Sequence, residues 1–122
     1  MEPGTNPVLE KSFDFALLII EFAELLEEGR KYVIARQLLK SGTSMGANIR
    51  EAQSSESLLD FIHKMKIAAK EADETEYWLL LCMQSKNYPN PIGLLEKNSE
   101  LIKLLSSIIT SSKTKLSARN AK

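Results

Sequence analysis

Three breaks, each only a few residues long, divide a chain that otherwise repeats apolar side chains at helical spacing. They are "GR" at 29–30, "SSES" at 54–57 and "NYPNP" at 87–91. Loops this short leave a helix no route except back along its predecessor, so consecutive helices must run antiparallel. No run alternates β-branched residues as a strand would require. The expected fold is therefore all-α, an antiparallel up-down-up-down four-helix bundle.

End signals place the helices. Asn6 before Pro7 puts a capping side chain ahead of a first-turn proline. Helix 1 is predicted from there to about Glu28, with Gly29 as a left-handed terminator. Helix 2 is predicted from near Lys31 to about Gln53. Ser57 with Asp60 three residues on has the spacing of a capping box for helix 3, which should reach about Lys86. Helix 4 is expected over 92–112. Residues 1–6 are expected to be disordered, 7–112 to form the bundle domain, and 113–122 to be a basic C-terminal tail that frays.

Apolar stripes fit this layout. Helix 2 has Ile34, Leu38, Met45, Ile49 and Ala52 in one row. Helix 3 reads Leu58, Ile62, Met65, Ala69, Ala72, Glu76, Leu79 and Met83, a heptad-like seam carrying one carboxylate. Helix 1 differs: Phe13, Leu17 and Ile20 make one face, while Phe15, Leu18, Ile19, Phe22, Leu25 and Leu26 extend apolar cover around most of the cylinder. A helix apolar nearly all round is covered on more than one side. In a single four-helix bundle one side of each helix meets water, so helix 1 predicts a partner. A second copy is the simplest, with a different protein as the rival.

The stretch "SGTSMGANIREAQS" at 41–54 runs against helix propensity, since each Gly in a helix interior costs roughly 1 kcal/mol relative to Ala. Gly42 and Gly46 share a face with Ala35 and Leu39, so the absent side chains would let another helix approach closely. A break at Gly42 with a new cap at Ser44 is the alternative. The stripe from Ile34 to Ala52 keeps one phase across the glycines and favours a continuous helix.

Little chemistry is available. His63 is the sole histidine and Cys82 the sole cysteine, so no two-histidine metal site and no internal disulfide can form. No glycine-rich phosphate loop follows a strand. No catalytic, cofactor-binding or metal residues are expected, and the chain is not expected to be an enzyme. "MEPGTNP" has no secretory pattern, and "FALLII" at 15–20 is too short to cross a bilayer. A cytoplasmic protein without membrane attachment is the expectation. Asn48, Glu51, Glu74 and Glu76 are read as a polar set holding helices in register. Asn48 and Glu51 would meet helix 3, with Arg50, Arg36 or Lys70 as charge partners.

Formal net charge is zero, but its distribution is uneven. Residues 1–30 hold seven acidic against two basic side chains, and residues 31–54 one against four. Such asymmetry suits contact between copies. Lys31, Arg36 and Lys40 on helix 2, with Lys113, Lys115 and Arg119 in the tail, are candidates for nucleic-acid phosphates.

The runs "RQLLKSGTSMGANIREAQ" and "DFIHKMKIAAKEADETEYWL" also carry a resemblance. Ser41, Thr43, Ser44, Gly46, Ala47, Asn48, Ile49 and Glu51 match a Ser/Gly-rich signature, and Glu74, Glu76, Tyr77 and Leu79 match a second. Together they are similar to the S23-like four-helix bundle proteins encoded by intervening sequences in 23S rRNA genes, over about residues 9–112. The resemblance implies a ring-shaped homopentamer with no enzymatic activity. It also implies a relation to the accessory variability protein of diversity-generating retroelements, a basic pentamer that partners a reverse transcriptase and its RNA. This chain departs from that relative in being neutral overall.

Overall fold

The computed structural model describes residues 6–121. Four helices follow in order: α1 (Pro7–Glu28), α2 (Tyr32–Ala52), α3 (Leu58–Gln84) and α4 (Ile92–Asn120). Contacts join α1 to α2, α2 to α3, α3 to α4 and α4 back to α1. The helices thus stand at the corners of a square, with α1 diagonal to α3, and the α1–α4 seam is the least extensive.

The start of α1 is as the residues suggest: Asn6 Oδ1 accepts from the Leu9 N–H at 3.3 Å, and Pro7 occupies the first turn. Asn6 Nδ2 also donates to Gln53 Oε1 at 2.9 Å, tying this cap to the end of α2. The rest of the expected disordered segment, residues 1–5, lies outside the described residues. The end of α1 differs from expectation. Gly29 sits at φ −86°, and the left-handed position belongs to Arg30, at φ 64°. The bonds Lys31 N–H to Leu26 O and Arg30 N–H to Glu27 O form a Schellman closure one residue later than predicted.

Helix α2 is continuous through Gly42 and Gly46. Ser57 Oγ caps α3 by accepting from Asp60 N–H at 3.0 Å. Helix α4 runs on past Ser112, where the sequence reading ended it, to Asn120. No glycine or proline interrupts "SSKTKLSARN", and Lys115 and Arg119 near a helix C-terminus favour the macrodipole. Ser112 is the last buried residue, so this extension is helix without core beneath it.

The core draws on all four helices, with Phe15, Ile19 and Leu26 from α1, Leu38, Met45 and Ile49 from α2, Met65 and Leu79 from α3, and Leu101 and Leu105 from α4. On α3 the buried row is Ile62, Met65, Ala68, Ala72, Thr75, Leu79 and Cys82. It departs from the expected seam at Ala68, Thr75 and Cys82, which replace Ala69, Glu76 and Met83 inside, and Glu76 is only half-buried. Burial chemistry explains the choice. Thr75 Oγ1 reaches Glu71 O (2.7 Å) and Ser41 Oγ (2.9 Å), whereas a carboxylate there would have to shed its hydration.

Candidate assembly surface

The small-residue face of α2 is used within the chain. A Cβ at Gly42 would fall 2.8 Å from Ile19 Cγ2, and one at Gly46 would fall 3.4 Å from Ser12 O. Helix α1 therefore lies close along the backbone of α2. Ser12 is buried and donates to Leu9 O, which keeps its hydroxyl satisfied beside Gly46.

Close seating turns a strip of α1 outward. Phe13 is 54% exposed, and Leu17 and Ile20 are also exposed. Between this strip and α2 runs a shallow groove of about 260 Å³ lined by Leu9, Phe13, Ala16, Thr43, Ala47 and Arg50, among others. Its lining is mostly apolar, with the hydroxyls of Ser12 and Thr43 and one cation, Arg50. Exposed carboxylates Glu10, Asp14, Glu21 and Glu24 flank the strip on α1. A second outward apolar group lies on α3, where Tyr77, Leu80 and Leu81 are exposed. The Tyr77 ring is edge-on to Trp78, 5.2 Å between centroids.

The predicted polar set is not brought together as one cluster. Asn48 is half-buried and returns its amide to its own helix, donating to Ser44 O at 2.9 Å. Glu51 is exposed and makes no ion pair among the described residues; the pairs there are Lys11–Glu100 and Lys64–Asp60, each at 4.0 Å. Arg50, expected as its charge partner, instead lines the α1–α2 groove. Glu74 is exposed. The carboxylate that bases approach is Glu71, which sequence reasoning passed over. Desolvation by burial and the neighbouring Glu74 raise its pKa, while Lys40 and Lys70 pull it down.

The basic candidates also separate. The Lys31 ammonium lies over the Tyr88 ring, 5.0 Å from its centroid, clasping the α1–α2 and α3–α4 loops at one end of the bundle. Arg36 and Lys40 are exposed along α2. Lys113, Lys115 and Arg119 are exposed on the last turns of α4, at the opposite end. Two distant basic groups replace the single patch that composition suggested.

Two buried polar features were also missed. Asn98 is 0% exposed and donates to Ala72 O at 2.9 Å, while its Oδ1 has no partner. Ser41 joins Thr75 across the α2–α3 seam. The available signal for Asn98 was its spacing of three from both Leu95 and Leu101, which places it on the apolar face of α4. No three His, Cys, Asp or Glu side chains gather as a metal site among the described residues, and no helix there is long and apolar enough to cross a membrane.

These features define an all-helical bundle with outward apolar groups on α1 and α3. Residues 5–109 match the family described as 23S rRNA-intervening sequence protein, and the chain belongs to that family. A crystal structure of a protein of unknown function from the S23 ribosomal protein family of Bacteroides thetaiotaomicron superposes with a TM-score of 0.79. It is 44% identical, over 84% of this chain and 97% of that one. Comparison with curated proteins gives no match.

Proposed function

We propose that this protein is a non-enzymatic scaffold or interaction module that works as a homo-oligomer, copies meeting through the outward face of α1 and its groove with α2. The exposure of Phe13, Leu17 and Ile20 carries this reading. Three large apolar side chains in line on one helix, flanked by carboxylates, form a contiguous patch of the kind that marks an interaction site. The order of five and the ring shape are expectations from the family resemblance, as is the cytoplasmic setting. Light scattering on a size-exclusion column tests the reading. The expected mass is several times 13.7 kDa. A single 13.7 kDa species at micromolar concentration would reject it.

A second reading, RNA or DNA binding of the kind the resemblance to the retroelement accessory protein implies, is favoured by one observation. Lys113, Lys115 and Arg119 stand exposed on an ordered helical extension beyond the matched residues 5–109. Titrating a structured RNA across salt tests it: affinity should fall steeply with ionic strength, and removing residues 113–122 should flatten that slope. Absence of binding at low salt would reject this reading and leave the scaffold.

A further inference from the structure

We infer that the outward strip of α1 seats on the outward face of α3 of the next copy, a head-to-tail contact rather than a two-fold one; this rests on the self-association proposed above. Helices α1 and α3 occupy diagonal corners of the square, with no close backbone approach between them. Their outward faces therefore point away from one another. A two-fold contact through α1 alone would cover Phe13, Leu17 and Ile20 and leave Tyr77, Leu80 and Leu81 in water. Pairing α1 with α3 covers both groups with one kind of interface, and a face that differs from its mate generates a ring when the rotation closes.

Charge and register agree with this pairing. Ile19 packs at Gly42, and the adjoining Ser41 bonds Thr75, so Ile19 and Thr75 stand at one height in the bundle. A neighbour set level, with its α3 parallel to this α1, then brings Ile20 near Tyr77. The 56-residue offset of Ile19 and Thr75 puts Glu10 and Asp14 level with Lys66 and Lys70, all four exposed, and sets Ile20 one residue short of Tyr77. The exposed acids of α3, Asp73 and Glu74, fall level with Leu17, in the interval between Asp14 and Glu21 where α1 carries no carboxylate. Over the first half of α1 opposite charges meet and these like charges miss, a pattern that favours a specific contact.

Complementation between two disabled variants tests this. Phe13→Glu with Leu17→Glu disables the α1 face, and Tyr77→Glu with Leu81→Glu the α3 face. All four side chains are exposed, and retained helical circular dichroism checks each fold. Each variant alone should run at 13.7 kDa, and the mixture should form a 1:1 species of twice that mass, since one good face of each kind remains. If the α3 variant keeps the wild-type mass, or the mixture stays monomeric, the pairing is overturned while self-association stands. A monomeric wild type would fail the earlier reading instead. Should a variant unfold, charge exchange serves: Glu10→Lys with Asp14→Lys should lower the assembled fraction, and adding Lys66→Glu with Lys70→Glu to the same chain should restore it. No restoration would overturn the pairing.

Discussion

Gly42 and Ile19 meet so closely that a Cβ on the glycine would lie 2.8 Å from Ile19 Cγ2 and 2.9 Å from Cγ1. Both atoms belong to a β-branched, fully buried side chain with no rotamer to retreat into. Gly42→Ala should therefore lower stability by about 1–2 kcal/mol, overpacking outweighing the roughly 1 kcal/mol gained in helix propensity. At Gly46 the same atom meets Ser12 O at 3.4 Å, an ordinary contact, so Gly46→Ala should be neutral or stabilising by up to about 1 kcal/mol. Urea midpoints of the two variants distinguish these outcomes, and equal effects would contradict the geometry.

Arg30 holds a left-handed backbone at φ 64° that costs an L side chain about 1 kcal/mol. Arg30→Gly removes that cost while keeping the Schellman bonds, so thermal unfolding should shift upward by the equivalent of about 0.5–1 kcal/mol. A lower melting temperature would mean that the Arg30 side chain contributes more than its backbone loses.

Asn98 keeps one oxygen unpaired inside the bundle. Asn98→Leu, of similar volume, should leave stability within about 1 kcal/mol of the parent or above it, because an unsatisfied buried acceptor disappears. Asn98→Asp should cost about 3 kcal/mol or more at pH 7, where a buried carboxylate has no cation. Burial raises the pKa of such an acid in the folded chain above its unfolded value. The loss should therefore shrink as pH falls through that interval, and urea titrations at pH 7 and pH 4 measure it.

Burial pushes the Cys82 thiol up to about 11, and no base stands near it to reverse this. Iodoacetamide should label the folded protein slowly at neutral pH and rapidly once urea unfolds it. The folded thiol holds its proton longer than the unfolded one. Its contribution to stability is thus complete below pH 9.0 and lost as pH rises toward 11, a loss that Cys82→Ala should lack. Fast labelling without denaturant would contradict the burial.

The helices and their antiparallel order were legible because short breaks and apolar period act locally. So was the continuity of α2, since its stripe keeps phase from Ile34 to Ala52. The row on α3 was misread at Ala69 because Ala68 and Ala69 are equally apolar. Thr75 goes inside over Glu76 because its hydroxyl finds Glu71 O on its own helix and Ser41 on α2, while a carboxylate there would lose its hydration. Gly29 was assigned the left-handed turn on residue type, but the chain closes one residue later through Lys31. Helix α1 carried a second apolar face plainly in its sequence. Its α3 counterpart lies in the unbroken apolar run 77–83, of which the expected seam used only Leu79 and Met83, so the excess of apolar side chains beyond one face went unread.

Lys11 and Glu100, an exposed pair 4.0 Å apart, mark the level at which α4 passes α1. Running antiparallel from that point, α4 passes the first residue of α1 with about sixteen residues still to come, about 24 Å of helix at 1.5 Å per residue. Protection from amide hydrogen exchange should therefore be graded along this one helix. Amides around Leu101 and Leu105 would exchange only when the whole bundle opens, and those beyond Ser112 would exchange almost as freely as an isolated peptide.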